Sequence, residues 1–486
     1  MVLQLNVRFI IKFLGTMHML ESLFMLSALC IALWFHDTDV FALALSCAIM
    51  FAVGLAMYIA GRHADEYRSG RREGMICVTL TWLLLSLFGM LPYLISGYID
   101  NVTDAFFETM SGFTTTGATI LTDIEALPKG LLFWRSLTQW QGGIGIIVFT
   151  VALMPIFGGT ASQLFDAETP SITHERFLPR ITQVAKRLFG IYLLLTGLIF
   201  GLLWIGPMNA YDAVNHSLTT VSTGGYSTKN ASIAYWQSPY IEYVICFGMC
   251  IGATNITLLY FSLRRHWHKL VHDEELHWFY GIVATATVIV TAWLLIHQHE
   301  TSIEKAFRQS LFQVTSLIST TGYLTVDYAN WGAFFTIIAL FISVVAGCAG
   351  STSGGLKMGR FVILIKNMLN EFKKQTHPNA ILPIRMSGQI IPSHIVQRVS
   401  TFAFVYMGLI LLGGAILILD GLNFEEALGV SVSAVSNVGP ALGQYTDGNF
   451  SALSAFPKWI LSFLMMIGRL EIFTVLTILL PGFWKR

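Results

Sequence analysis

The chain has 486 residues, 54% of them hydrophobic and 12% charged, with a formal net charge of +1. Water-soluble domains carry about 25% charged residues, so half that density combined with long apolar runs excludes an ordinary soluble enzyme and points to the bilayer. The basic residues sit in short clusters between apolar runs, not in a basic domain, which argues against nucleic acid as a partner.

Arg8 and Lys12 precede an apolar run ending near Phe35. This looks like a signal sequence, but no small-x-small cleavage site leads into a soluble domain and further apolar segments follow at once, so a retained first membrane helix is expected. A spanning helix needs about 20 apolar residues. Ten segments qualify: 15–35, 41–60, 76–97, 131–157, 188–207, 239–263, 278–297, 332–349, 400–419 and 456–482. Four stretches between them, each before an even-numbered span from the fourth onward, are too short and polar to span yet too apolar for ordinary loops. They are predicted to be re-entrant.

One set of connections, with the two ends of the chain, holds 22 of the 29 Lys and Arg residues, among them Arg62, Arg71, Arg187, Arg264, Lys357, Lys366 and Arg398. The positive-inside rule makes that side cytoplasmic and puts both termini there. The opposite side is acidic, with Asp39, Asp104, Glu108, Asp212, Glu242, Glu304 and Glu426 among its residues. It reads as an outer vestibule that concentrates cations or, more plainly, as a solvated rim. The six cysteines show no CxxC or Cys/His metal spacing; they read as small core hydrophobes.

The four re-entrant stretches are copies of one unit. They run from Asp104 to Gly117, Asp212 to Gly225, Gln309 to Gly322 and Glu426 to Gly439, with thirteen positions from first residue to glycine each time. Each is a helical run of about three turns followed by Thr-, Ser- or Asn-rich backbone. A short helix entering from outside aims its partially negative end at the bilayer centre, and the glycine permits backbone angles that other residues resist. Four such copies about an axis make a ring of carbonyls that replaces the water shell of a monovalent cation without any charged side chain. The expected filter residues are Thr115, Thr116 and Gly117; Thr223, Gly224 and Gly225; Thr320, Thr321 and Gly322; and Asn437, Val438 and Gly439. Close packing of small residues is the plainer reading of any one segment; four at equal offset favour a pore.

The eighth span breaks at Gly347, Gly350, Ser351, Thr352, Ser353, Gly354 and Gly355, a composition that cannot hold a lipid-facing helix. Unwound backbone at membrane depth must line a cavity or be buried in protein. It is expected to hang beneath the filter as a gate, the alternative being a helix cap with a flexible connector. Arg469, in the last span, costs at least about 2.5–3.5 kcal/mol unless partnered. Glu471 lies off its helical face, so carbonyls of the 347–355 segment are the expected partners. His272 and His277 are five apart and lack HExxH spacing, and no GxSxG, P-loop or dinucleotide fingerprint is present, so no enzyme is expected.

The stretches 114–119, 222–228, 310–323, 347–355, 436–443 and 468–474 resemble the Trk/Ktr/HKT potassium transporter superfamily across essentially the whole chain. The length and the two extra N-terminal helices look most like its bacterial TrkH/TrkG branch. The resemblance implies an all-α polytopic fold of four pseudo-fourfold helix–pore loop–helix repeats around one pore, plus two N-terminal transmembrane helices. It divides the chain into residues 1–74, then repeats at 75–160, 161–264, 265–375 and 376–486. It implies K⁺ uptake across the bacterial inner membrane, with K⁺ at Thr115, Thr116, Thr223, Gly224, Thr320, Thr321, Asn437 and Val438. A homodimer with one pore per protomer is implied, served by a cytoplasmic TrkA-type ring that binds ATP/ADP or NAD; K⁺ apart, the chain itself needs no cofactor. Ser222-Thr223 and Thr321 depart from the usual pattern. A Na⁺- or H⁺-coupled K⁺ symporter on the same scaffold is the alternative, although no intramembrane Asp/Glu/His relay is evident.

Overall fold

A computed structural model describes residues 5–64, 70–145, 181–297 and 300–484. It is helical almost throughout. Helix α1 (Val7–Phe35) starts where the Asn6 side chain accepts the Phe9 N–H at 3.1 Å and ends at His36 in the left-handed region; it packs along α2 (Val40–Ala60). There Gly15 and Gly54 face each other's backbone so closely that a Cβ on Gly54 would stand 2.9 Å from the Gly15 carbonyl oxygen.

Four helix–loop–helix units follow. The first comprises α3 (Arg71–Gly89), its continuation α4 (Leu91–Ser96), the short α5 (Val102–Phe113) and α6 (Lys129–Ile144). The second has α7 (Ile181–Ile205), the short α8 (Ala210–Val221), then α9 (Pro239–Gly252) and α10 (Ile256–Leu263), with α11 (Trp267–Val271) leading on. The third has α12 (Glu274–Ile296), the short α13 (Ile303–Ile318), α14 (Ala333–Val345) and α15 (Met358–Thr376). A small hairpin, β1 (Arg385–Met386) with β2 (Gln389–Ile390), precedes the fourth: α16 (Ser393–Leu419), the short α17 (Phe424–Ser436), α18 (Ala455–Arg469), α19 (Ile472–Leu479) and α20 (Pro481–Trp484).

Among the described residues six helical segments, α1, α2, α3–α4, α7, α12 and α16, are long and apolar enough to cross a membrane. Two further segments pass only as bent pairs: α9 and α10 meet at 102°, α18 and α19 at 118°. The expectation of unbroken spans at 239–263 and 456–482 is therefore corrected. The backbone unwinds at Thr254–Asn255, where the Asn255 side chain caps Thr257 N at 2.8 Å, and at Glu471, whose φ is +59°. The 131–157 span is described only as far as Gly145; its remainder lies outside the described residues.

All four short helices carry an acid in the first turn, Asp104, Asp212, Glu304, and Glu425 with Glu426, and the first three begin on a side-chain cap, from Asn101, Asn209 and Ser302. Side-chain caps satisfy orphan N–H groups, and the acids complement the positive end of the dipole. Each short helix packs against the helix that follows it in its own unit and also against the corresponding helix of the unit before it. The contacts α6–α8, α9–α13, α14–α17 and α18–α5 close a circle around one axis.

Candidate functional site: a ring of four loops

The short helices end in one repeated backbone turn. Thr115, Thr223, Thr320 and Asn437 have φ of 53°, 52°, 58° and 57°, and the glycine two positions on in each copy, Gly117, Gly225, Gly322 and Gly439, has φ of 84°, 82°, 82° and 94°. The residue between them sends its N–H back five positions: Thr116 to Ser111 O, Gly224 to Thr219 O, Thr321 to Ser316 O and Val438 to Ser433 O, at 2.8–3.0 Å. The residue before it bonds three positions back in every copy, which completes a Schellman-type cap. Three of the left-handed positions are threonine, a β-branched residue that normally avoids this region. Strain of about 1–3 kcal/mol at each survives only where the surroundings impose it.

The loops touch in a fixed cyclic order. A Cβ on Gly117 would collide with the Gly224 carbonyl oxygen, one on Gly225 with Thr321 O, one on Gly322 with Val438 O, and one on Gly439 with Thr116 O. Among the described residues, no protein donor reaches the carbonyl oxygens of Thr115, Thr116, Thr223, Thr320, Thr321, Asn437 or Val438, all of them in residues no more than 1% exposed. Buried carbonyls are nearly always paired, so seven without a protein donor among the described residues mark this ring as unusual. The eighth, Gly224 O, accepts Gln139 Nε2 at 2.6 Å and keeps one lone pair.

Side chains behind the ring hold it. Tyr226 N donates to Gln139 Oε1, and Tyr226 Oη donates to Glu108 O at 2.8 Å. Tyr323 Oη shares a hydrogen bond with Thr219 Oγ1 at 2.5 Å. Glu108 pairs with Arg135 at 2.6 Å, accepts Ile120 N and Thr119 Oγ1, and is fully enclosed. Arg135 in turn donates to Ser227 O at 3.0 Å and lies 3.5 Å from the centre of the Tyr226 ring. Sequence reading missed this group because it counted Glu108 with the outer acidic residues. That reading is corrected for four of them: Asp39, Glu108, Asp212 and Glu242 are all buried. Asp39 caps Leu131 N, Asp212 accepts Thr228 Oγ1, and Glu242 pairs with Arg308. Of the cysteines, Cys30 is exposed, contrary to a core role, whereas Cys77, Cys246 and Cys348 are buried.

The segment between α14 and α15 lies against this ring. Positive φ at Ala346, Gly350, Gly355 and Lys357 breaks the helix. Its Thr352 hydroxyl meets Thr223 Oγ1 at 3.2 Å and donates to Gly252 O at 3.0 Å. Gly354 N donates to Thr320 Oγ1 at 2.8 Å, and a Cβ on Gly354 would strike Ser436 O. Cys348 N reaches Ala253 O, Ile256 N reaches Gly350 O, and Met358 N reaches Gly347 O. Ser351 Oγ turns back to Cys348 O, and the Lys357 ammonium donates to Ser353 O. A flexible connector would not carry so many buried hydrogen bonds.

Arg469, at the end of α18, joins the segment to the first unit. Its Nη1 donates to Thr352 O at 2.6 Å and its Nη2 to Gly142 O at 2.6 Å and Gly143 O at 3.2 Å. Glu471 pairs with Arg360 at 2.6 Å, leaving the guanidinium of Arg469 to the carbonyls. Among the described residues no three His, Cys, Asp or Glu side chains group as metal ligands, His272 and His277 included.

Residues 40–482 match the family model TrkH, described as cation transport protein. The chain is 36% identical over 489 residues to the Trk system potassium uptake protein TrkH of Escherichia coli K12, covering 99% of this chain and all of that one. It is 31% identical to TrkG of the same organism, with 99% of each covered. The crystal structure of the potassium transporter TrkH from Vibrio parahaemolyticus superimposes with a TM-score of 0.90 at 34% identity, over 99% of this chain and 100% of that chain. With the ring of four loops and a match that spans nearly its whole length, this multi-pass membrane protein belongs to the TrkH family of cation transport proteins.

Proposed function

We propose that the chain takes up K⁺ across the bacterial inner membrane through the ring of loop carbonyls, under control of the 347–355 segment. The observation that carries this reading is the set of seven buried carbonyl oxygens, in cyclically packed loops, that no donor among the described residues reaches. Such oxygens substitute for the water shell of a weakly hydrated monovalent cation, and K⁺ sheds its water more readily than Na⁺. The relatives' names as potassium uptake proteins support the choice of ion. The units correspond to residues 1–74, 75–160, 161–264, 265–375 and 376–486, with both termini cytoplasmic. The working assembly is a homodimer served by a TrkA-type cytoplasmic ring that senses nucleotide. Growth of a K⁺-uptake-deficient bacterium on low K⁺, with Rb⁺ flux into proteoliposomes, tests it; flux that does not distinguish K⁺ or Rb⁺ from Na⁺ overturns it.

A H⁺-coupled symporter is the second reading. One observation favours it: Glu21 and His18 are buried in α1, with Glu21 Oε1 and His18 Nε2 lacking partners among the described residues. Intramembrane ionisable groups mark proton routes by default. K⁺ flux that follows an imposed proton gradient and loses that dependence in Glu21→Gln would establish it.

A further inference from the structure

The start of α12 makes a contact that neither the ring nor Arg469 accounts for. Glu275 is buried, and its Oε1 accepts two main-chain N–H groups at once, Ala349 N at 2.5 Å and Gly359 N at 2.8 Å. Ala349 lies near the beginning of the unwound segment; Gly359 lies just past its end, in the first turn of α15. One oxygen therefore pins both ends of the segment to a helix of the third unit. The next residue toward the N-terminus fixes that helix in turn. Glu274 pairs with Lys366 of α15, its N–H donates to Ser387 Oγ at 3.2 Å, and its Oε2 accepts Ser387 N at 3.1 Å. The Asp273 side chain caps Leu276 N at 2.9 Å, so this turn is anchored on three sides.

We propose that Glu275 is a positioning residue for transport, the latch that holds the 347–355 segment against the ring by clamping both its ends. This rests on the gating reading above and adds to it. The remaining tethers of the segment's middle, at Thr352 and Gly354, hold it to the ring loops, α9 and Arg469 of α18. Glu275 ties both ends to α12, alongside the direct Met358 N–Gly347 O bond between them. Releasing both ends lets the segment swing away while the ring, which Glu275 does not touch, stays intact.

The test is Rb⁺ flux into proteoliposomes holding the purified full chain without any cytoplasmic partner, with Glu275→Ala, Glu275→Asp and Glu275→Gln. Glutamine keeps an acceptor oxygen at the same reach, so Glu275→Gln should stay within about twofold of the parent. Aspartate falls one methylene short, so Glu275→Asp should raise flux about tenfold, as alanine does, on the scale of leaving a buried main-chain N–H without its acceptor. K⁺ over Na⁺ preference should not change in any of them. A role in folding alone predicts the opposite order: aspartate mild, glutamine severe, and flux per folded molecule never above the parent. Should Glu275→Ala fail to fold, the Asp and Gln pair still decides. Flux at or below the parent in Glu275→Asp, alongside raised flux on deleting 350–355, overturns the latch and leaves the gate standing. Unchanged flux in both overturns the gate itself.

Discussion

A Cβ placed on Gly439 would lie 2.6 Å from the carbonyl oxygen of Thr116, residues more than 300 positions apart in the chain, and this contact closes the ring. The other three glycines meet the next loop in the same way, so each position excludes a side chain for two reasons: the clash itself and a positive φ. Gly439 has the loosest of the four contacts. Gly439→Ala is therefore the variant best able to fold, and it should still displace the Thr116 carbonyl. The expected result, read per folded molecule, is uptake in which Na⁺ competes with K⁺. Competition assays of ⁸⁶Rb⁺ uptake against Na⁺ check it, and Gly117→Ser, with a tighter contact, should lose more.

The Glu108–Arg135 pair predicts a change in stability and not primarily in gating. Glu108→Ala leaves a guanidinium enclosed with, among the described residues, Ser227 O and the Tyr226 ring to face. Breaking a buried pair from one side costs about 3–5 kcal/mol. Thermal unfolding of the purified protein in detergent should shift down by several degrees, with Glu108→Gln in between because an amide oxygen still accepts Ile120 N. An unchanged melting temperature would mean the pair is dispensable.

Much of this was legible in the sequence, and the failures share a cause. The thirteen-residue offset put Gly117, Gly225, Gly322 and Gly439 at equivalent positions, and the structure gives all four the same left-handed backbone. Composition also located the break before Lys357. Glu108 could not be told from a surface acid, because what buries it is Arg135 from the following helix, 27 residues on. The bends at Asn255 and Glu471 were hidden for a related reason. Each lies inside a long apolar run, and the turn at Asn255 is stabilised by a distant partner, Gly350 O. The short run Gly252-Ala253-Thr254-Asn255 was the available signal: small residues followed by a good cap.

Removing residues 350–355 takes away the part of the segment that touches Thr223 and Thr320 while leaving the four ring loops in sequence. Rb⁺ flux in partner-free proteoliposomes should rise. Flux at or below the parent, from protein that still elutes as the parent does, would mean that the segment braces the loops rather than obstructing them.

Arg469 offers the sharpest separation between a gate and a strut. Its guanidinium spans two elements, donating to Thr352 O on one side and to Gly142 O and Gly143 O on the other. It therefore ties the segment to the end of α6, and on the proposed reading its positive charge would oppose cation flow. Arg469→Ala removes the tie and the charge together, and both losses act toward higher K⁺ flux and weaker control by a cytoplasmic partner. Arg469→Lys keeps the charge, but a single ammonium lacks the planar fork that serves two carbonyl groups at once, so it should fall between the parent and alanine. A strut predicts otherwise: the Thr352 carbonyl loses its Arg469 donor, with lower yield and lower flux per molecule. Single-channel or liposome flux normalised to purified protein distinguishes them. If Arg469→Ala folds well and conducts no more than the parent, the charge does not bar the pore and the tie is structural only.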